Sequence, residues 1–102
     1  MDQRREELQA VLEGILGTDA VYFQPPPNVS MVYPAIVYER DYRYTEYADN
    51  IPHCYWWRYA VTLIDRNPDN PILNKVGALP MSRYVRHFVV DNLHHDLYDV
   101  YF

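Results

Sequence analysis

Arg58-Tyr59-Ala60-Val61-Thr62-Leu63-Ile64-Asp65, followed by Arg66-Asn67-Pro68-Asp69-Asn70-Pro71, is the stretch whose reading decides the fold. Its first half is rich in β-branched and aromatic residues. Extended, it places Arg58, Ala60 and Thr62 on one face and Tyr59, Val61 and Leu63 on the other. The run stops at a carboxylate, and six turn-forming residues follow. Asn70 or Asp69 can accept a hydrogen bond from the free amides of a new helix, and Pro71 suits its first position. One strand, its end and the next helix start are therefore defined together. That helix carries Ile72, Leu73, Val76 and Leu79, and Pro80 ends or kinks it.

Upstream, the strand extends back to His53. An earlier one, Tyr33 to Glu39, is apolar on both faces at Ala35-Ile36-Val37, which suits a central position, with Pro34 at its start or on a bulge. Beyond Arg40, Tyr42, Tyr44 and Tyr47 alternate with Asp41, Arg43 and Thr45. This pattern predicts a strand extension or hairpin arm projecting from the core, with Ala48-Asp49-Asn50 and Pro52 as its loop and the two strands antiparallel. Trp56 and Trp57, being adjacent, face opposite ways: one can enter the core while the other anchors an interface.

Nearer the start, Ala20 to Gln24 reads as a short strand ended by Pro25-Pro26-Pro27, and the chain to Ser30 as an extended polyproline-like connection. Residues 4–16 form an amphipathic helix with Leu8, Val11, Leu12, Ile15 and Leu16 on one stripe and Gly17 as its stop. Residues 83–102 read as a hairpin: Tyr84–Val90, a turn region beginning at Asp91-Asn92, then Leu97–Phe102. The preceding helix could instead continue to about Phe88. The order predicts one α+β domain: a mainly antiparallel sheet of about four to five strands flanked by two helices, on one or both faces, with a projecting hairpin arm.

Composition narrows the function. A chain of 102 residues supports one core without disulfides or metals. Its single cysteine, Cys54, forms no intrachain bridge, and a reducing, intracellular folding environment is the simplest reading. A net charge of −5 argues against nucleic-acid binding through a basic face, although not against a ring that surrounds DNA without gripping it. The charged N-terminus reads as a helix and not a signal peptide, and no apolar run approaches the roughly 20 residues that span a bilayer. Tyrosine is in excess, 11 against 3 phenylalanines. An apolar ring with a hydroxyl suits half-buried sheet faces and protein interfaces.

Chemistry is thinly represented. His94-His95-Asp96 with His87 is the best metal candidate, but adjacent histidines on a strand diverge, and zinc wants three or four converging ligands. Cys54 beside His53 lacks an orienting third group and a glycine-rich oxyanion site. Asp49, Asp65 and Asp69 suit turns and caps, not a calcium loop. There is no phosphate-binding or dinucleotide-binding glycine pattern. The expectation is a non-enzyme with no metal and no cofactor.

Several segments resemble small proteins of the head-to-tail region of tailed bacteriophages: Pro25-Pro26 with Asn28, Tyr33–Glu39, Ala48-Asp49-Asn50, Arg58–Asp65, Asn67-Pro68-Asp69, Arg86-His87-Phe88 and Leu93–Asp96. The order of these segments is most similar to the tail-terminator, or tail-completion, group. That resemblance implies a structural virion protein of the neck, typically a ring of six subunits on the last ring of the tail tube. Such a ring stops tube polymerisation and meets the head connector or stopper protein, while DNA passes through without sequence-specific binding. A head-completion or stopper protein is the nearest alternative; a non-viral interaction module and a metal-dependent hydrolase using His87, His94 and His95 stand further off. In the ring reading, Tyr42, Tyr44, Tyr47, Trp56 and Trp57 are the expected subunit contacts.

Overall fold

In a computed structural model, which describes residues 3–26, 30–48 and 50–102 (with the side chains of Gln3, Tyr44, Glu46, Tyr47 and 51–56 outside that description), seven elements follow one another. They are α1 Gln3–Leu16, β1 Val21–Phe23, β2 Ala35–Ala48, β3 Ile51–Asp65, α2 Ile72–Gly77, β4 Ser82–Val90 and β5 Leu93–Tyr101. The strands form one sheet in the order β1-β2-β3-β5-β4. Only β1 and β2 run parallel; the other neighbours are antiparallel. This is the α+β fold that the pattern predicts.

The Arg58–Asp65 run is the middle of that sheet. Register sets Val61 between Tyr38 of β2 and Tyr98 of β5, and Tyr59 between Arg40 and Val100. Tyr59, Val61 and Leu63 are all at most 1% exposed. Leu8, Leu12 and Leu16 of α1 and Val76 of α2 belong to the same cluster, so both helices cover this one face. Arg58, Ala60 and Thr62, on the opposite face, are only half-buried. Each fully buried Leu, Val or Ile side chain contributes about 1.5–3 kcal/mol relative to exposure.

The joint after Asp65 is built largely as its residue types require. The N-cap position falls on Pro71, which makes no side-chain cap hydrogen bond; the Asn70 Oδ1, one residue earlier, accepts from the Ile72 amide at 2.9 Å and so satisfies one free amide of the helix start. The Asn70 Nδ2 donates to Asp65 Oδ2 at 2.5 Å, and the other Asp65 oxygen accepts from the Arg66 amide at 2.8 Å. Asp69 takes no capping role; its amide donates to Asn67 Oδ1 at 3.0 Å. The helix starts at Ile72, with Pro71 one place ahead, and ends at Gly77, so Leu79 and Pro80 lie beyond it. At the end of α1, Gly17 takes φ +83° and donates to the Glu13 carbonyl at 2.8 Å, a glycine stop.

The C-terminal hairpin is tighter than the sequence pattern predicts. Asp91 and Asn92 have φ of 53° and 63°, the two positive angles of a type I′ turn, and Val90 pairs directly with Leu93. The second arm therefore begins at Leu93, not Leu97, and His94, His95 and Asp96 lie on a strand. The first arm begins at Ser82, so the alternative of helix to Phe88 is not realised. The connection at Pro27 to Val29 lies outside the described residues.

The arm is continuous with the two central strands. β1 pairs with β2 no further than Tyr38, and β5 meets β3 only from Arg58 onward. Beyond those points β2 and β3 pair only with each other, out to Ala48 opposite Ile51. This ribbon gives the molecule its long axis, 51 Å against 24 and 23 Å. The sequence pattern places the loop from Ala48 to Pro52, whereas β2 includes Ala48 and β3 already begins at Ile51.

Candidate assembly surface

The root of the arm is set by a bulge. Arg40 pairs with Tyr59 but Tyr42 pairs with Arg58, leaving Asp41 as the extra residue. An inserted residue shifts every later side chain to the other face. Tyr38 therefore enters the core, at 0% exposed, while Tyr42 emerges with Arg58 on the face that no helix covers, at 52% exposed. Simple alternation would keep the two tyrosines together.

Cations hold the aromatic rings on both faces of this root. The Arg58 guanidinium lies 5.2 Å from the Tyr42 ring centroid, and its Nε donates to Asp41 Oδ1 at 2.9 Å. That hydrogen bond to a carboxylate pushes the Arg58 pKa above its usual range. On the helix side, Arg40 and Arg43 stand 5.1 and 5.6 Å from the Trp57 ring. Arg40 also meets Phe23 at 5.3 Å. Cation–π contacts of this kind contribute about 0.5–1 kcal/mol each at exposed sites.

The five expected contact residues thus separate. Tyr42 is exposed and held by Arg58. Trp57 is half-buried and packs against the core cluster. Tyr44, Tyr47 and Trp56 occupy strand positions on the arm, and their side chains lie outside the described ones. The same holds for His53 and Cys54. Asp49 lies outside the described residues altogether.

His87, His94 and His95 do not converge on one point. His87 Nε2 and His94 Nδ1 share a hydrogen bond at 2.9 Å, with their rings stacked. His95 faces the other way, its ring 4.7 Å from Phe88 and its Nδ1 3.0 Å from the Leu93 carbonyl oxygen. Asp96, 7% exposed, accepts from the Tyr84 hydroxyl at 2.9 Å. Among the described residues no three His, Cys, Asp or Glu side chains are placed to hold a metal ion. A cavity of about 270 Å³ lies where α1 begins and the chain ends, walled by Leu79, Pro80, Met81 and Val100, with Arg4 and Glu7 as charged members. It brings no histidine or cysteine together with a nucleophile.

A second surface has no counterpart among the expected contacts. Among the described residues β4 pairs only with β5, leaving its outer edge open, and Tyr84, Val85, Val89 and Val90 on it are 42–52% exposed. The signal in the sequence is the apolar character of Val85, Val89 and Val90 at positions of both parities. Without knowing that β4 ends the sheet, that run reads equally well as a buried strand.

Tyr84 also supplies a pH-dependent readout. Desolvation, then the hydrogen bond and charge of Asp96, push its pKa up to about 12. Desolvation likewise raises Tyr38, whose hydroxyl donates to Gln9 Oε1, and Tyr98, whose hydroxyl donates to the Leu73 carbonyl at 3.0 Å. A phenol whose pKa is higher folded than unfolded stabilises the fold fully below its unfolded value and loses that contribution as pH rises through the folded one. The Tyr84 contribution is therefore intact below pH 10 and lost through about pH 12. Near-ultraviolet titration should show Tyr38, Tyr84 and Tyr98 ionising late, with one late proton fewer in Tyr84→Phe. A single step for all tyrosines near pH 10 would refute this burial pattern.

The fold thus defines an α+β domain with a free two-stranded arm and an open sheet edge. Neither models of known protein families nor curated protein sequences match this chain. No helix among the described residues is long and apolar enough to cross a membrane.

Proposed function

We propose that this protein is a structural component of a phage neck, a tail terminator whose subunits form a ring, of six by the family resemblance. The ring caps the tail tube, ends its polymerisation and presents a surface to the head connector. The observation that carries the reading is the arm: an isolated two-stranded ribbon is marginal in water, and this one extends beyond every neighbouring strand. A closing head-to-tail ring gives each arm a neighbour to rest on. The resemblance of the segment order to tail terminators supports the phage assignment. The net charge of −5 is compatible with a channel through which DNA slides, since acidic walls repel phosphate. The protein carries no chemistry of its own in this reading.

Electron microscopy of particles made without the protein tests it. Tails of uncontrolled, excessive length are expected. Tails of normal length on full heads that leak DNA would instead assign the stopper role. Normal particles would refute a neck function.

A further inference from the structure

The two edges of the sheet are protected unequally. β1, at one edge, is three residues long and is followed by Pro25 and Pro26, which cannot donate to a ladder. β4, at the other, is nine residues long and contains no proline. A bulge between Tyr84 and Arg86 interrupts its first half, and Arg83 and Arg86 guard that part. From Arg86 to Val90 the strand is regular, and Val89 and Val90 stand 52% and 49% exposed on opposite faces, with Asp91 of the turn next in the chain. Natural sheets blunt such edges unless something covers them.

The arm matches this edge in length and in charge. Beyond the Arg43–Trp57 pair, β2 continues for five residues to Ala48, paired only with β3 and open on its outer side. The regular part of β4, Arg86–Val90, is also five residues. Residues 44–57 contain Glu46 and Asp49 and no lysine or arginine, while Ser82–Val90 contains Arg83 and Arg86 and no carboxylate.

We propose that the open edge of β4 receives the arm of a second copy of this chain by strand addition, so that one sheet continues from subunit to subunit. This rests on the ring reading above and names the surface that receives the arm. Main-chain hydrogen bonds supply the attachment, and the opposite charges set register and direction.

A charge exchange tests it. In Arg86→Glu/Val89→Glu the edge becomes acidic; in Glu46→Lys/Asp49→Lys the arm becomes basic. Both edge substitutions are at exposed positions, so thermal melting should stay near wild type. Native mass spectrometry and binding to tails isolated from particles lacking the protein read assembly. Each double variant alone should assemble at least about tenfold more weakly, and an equimolar mixture or the fourfold variant should regain the wild-type state. Wild-type assembly by Arg86→Glu/Val89→Glu alone, or no rescue on mixing, would overturn the edge assignment while leaving the ring reading intact. A wild-type protein that stays monomeric in solution and on tails would overturn both.

Discussion

Leu12→Ala should lower the free energy of unfolding by about 2–5 kcal/mol, the range for deleting a buried leucine side chain to its first carbon. Leu12 is 0% exposed and sits midway along the α1 stripe, between Leu8 at 1% and Leu16 at 7%. Two causes add: the lost transfer energy of the side chain, and a cavity between helix and sheet that the neighbours cannot fill. Tyr38 and Tyr59, packed 5.9 Å apart beneath the helix, limit any collapse of the sheet side. Small domains are stable by only about 5–15 kcal/mol, so the loss is a large share of the total. It corresponds to about 4–8 °C in Tm for each kcal/mol. Leu12→Met, close in volume, should cost less than about 1.5 kcal/mol. Chemical denaturation of both variants checks the pair; equal, small losses would mean that α1 packs loosely on the sheet.

The other large effect separates folding from assembly. Replacing Tyr44–Trp56 by Asn-Gly leaves Arg43 opposite Trp57 as the last pair, joined by the dipeptide favoured for a two-residue hairpin turn. The removed segment pairs only with itself, and the Arg40–Trp57–Arg43 and Arg58–Tyr42 groups remain. Unfolding free energy should therefore change by no more than about 1 kcal/mol, the scale of an exposed substitution. Subunit association should weaken about 100-fold or more, since aromatic anchors at an interface contribute about 2 kcal/mol or more each. A shortened protein that melts far below wild type would show that the arm belongs to the folding unit. One that still assembles normally would place the contacts elsewhere.

How far the fold can be read from the chain depends on which interactions decide each element. The α1 stripe, the Arg58–Asp65 strand and the Asn70 bond to the Ile72 amide rest on local periodicity and local hydrogen bonding, and each is found within a residue or two of its expected position, although the N-cap itself falls on Pro71. The C-terminal hairpin was legible in kind but not in register, because the left-handed angles of Asp91 and Asn92 close it in two residues and carry His94 to Asp96 onto a strand. The bulge at Asp41 left no mark in the alternation of Tyr38, Tyr42 and Tyr44, since it reflects how β2 is seated against β3 and not any residue's own preference. For the same reason the face that Tyr42 presents was beyond local reasoning. The open edge of β4 needed the strand order, which is set by contacts far apart in sequence.

Because the arm is the prolongation of β2 and β3 rather than an appended loop, it has a mechanical consequence. A pull at its tip runs along two covalent strands into the centre of the sheet, where β3 is held by β2 on one side and β5 on the other. The ladders that anchor the pair, Arg58–Tyr101 to Asp65–His94 on one side and Val21–Ile36 to Phe23–Tyr38 on the other, are then loaded together, in shear, and cannot be peeled apart one at a time. The tip is a lever whose fulcrum is the hydrophobic core, so a load on the arm is borne by the whole sheet rather than by a loop.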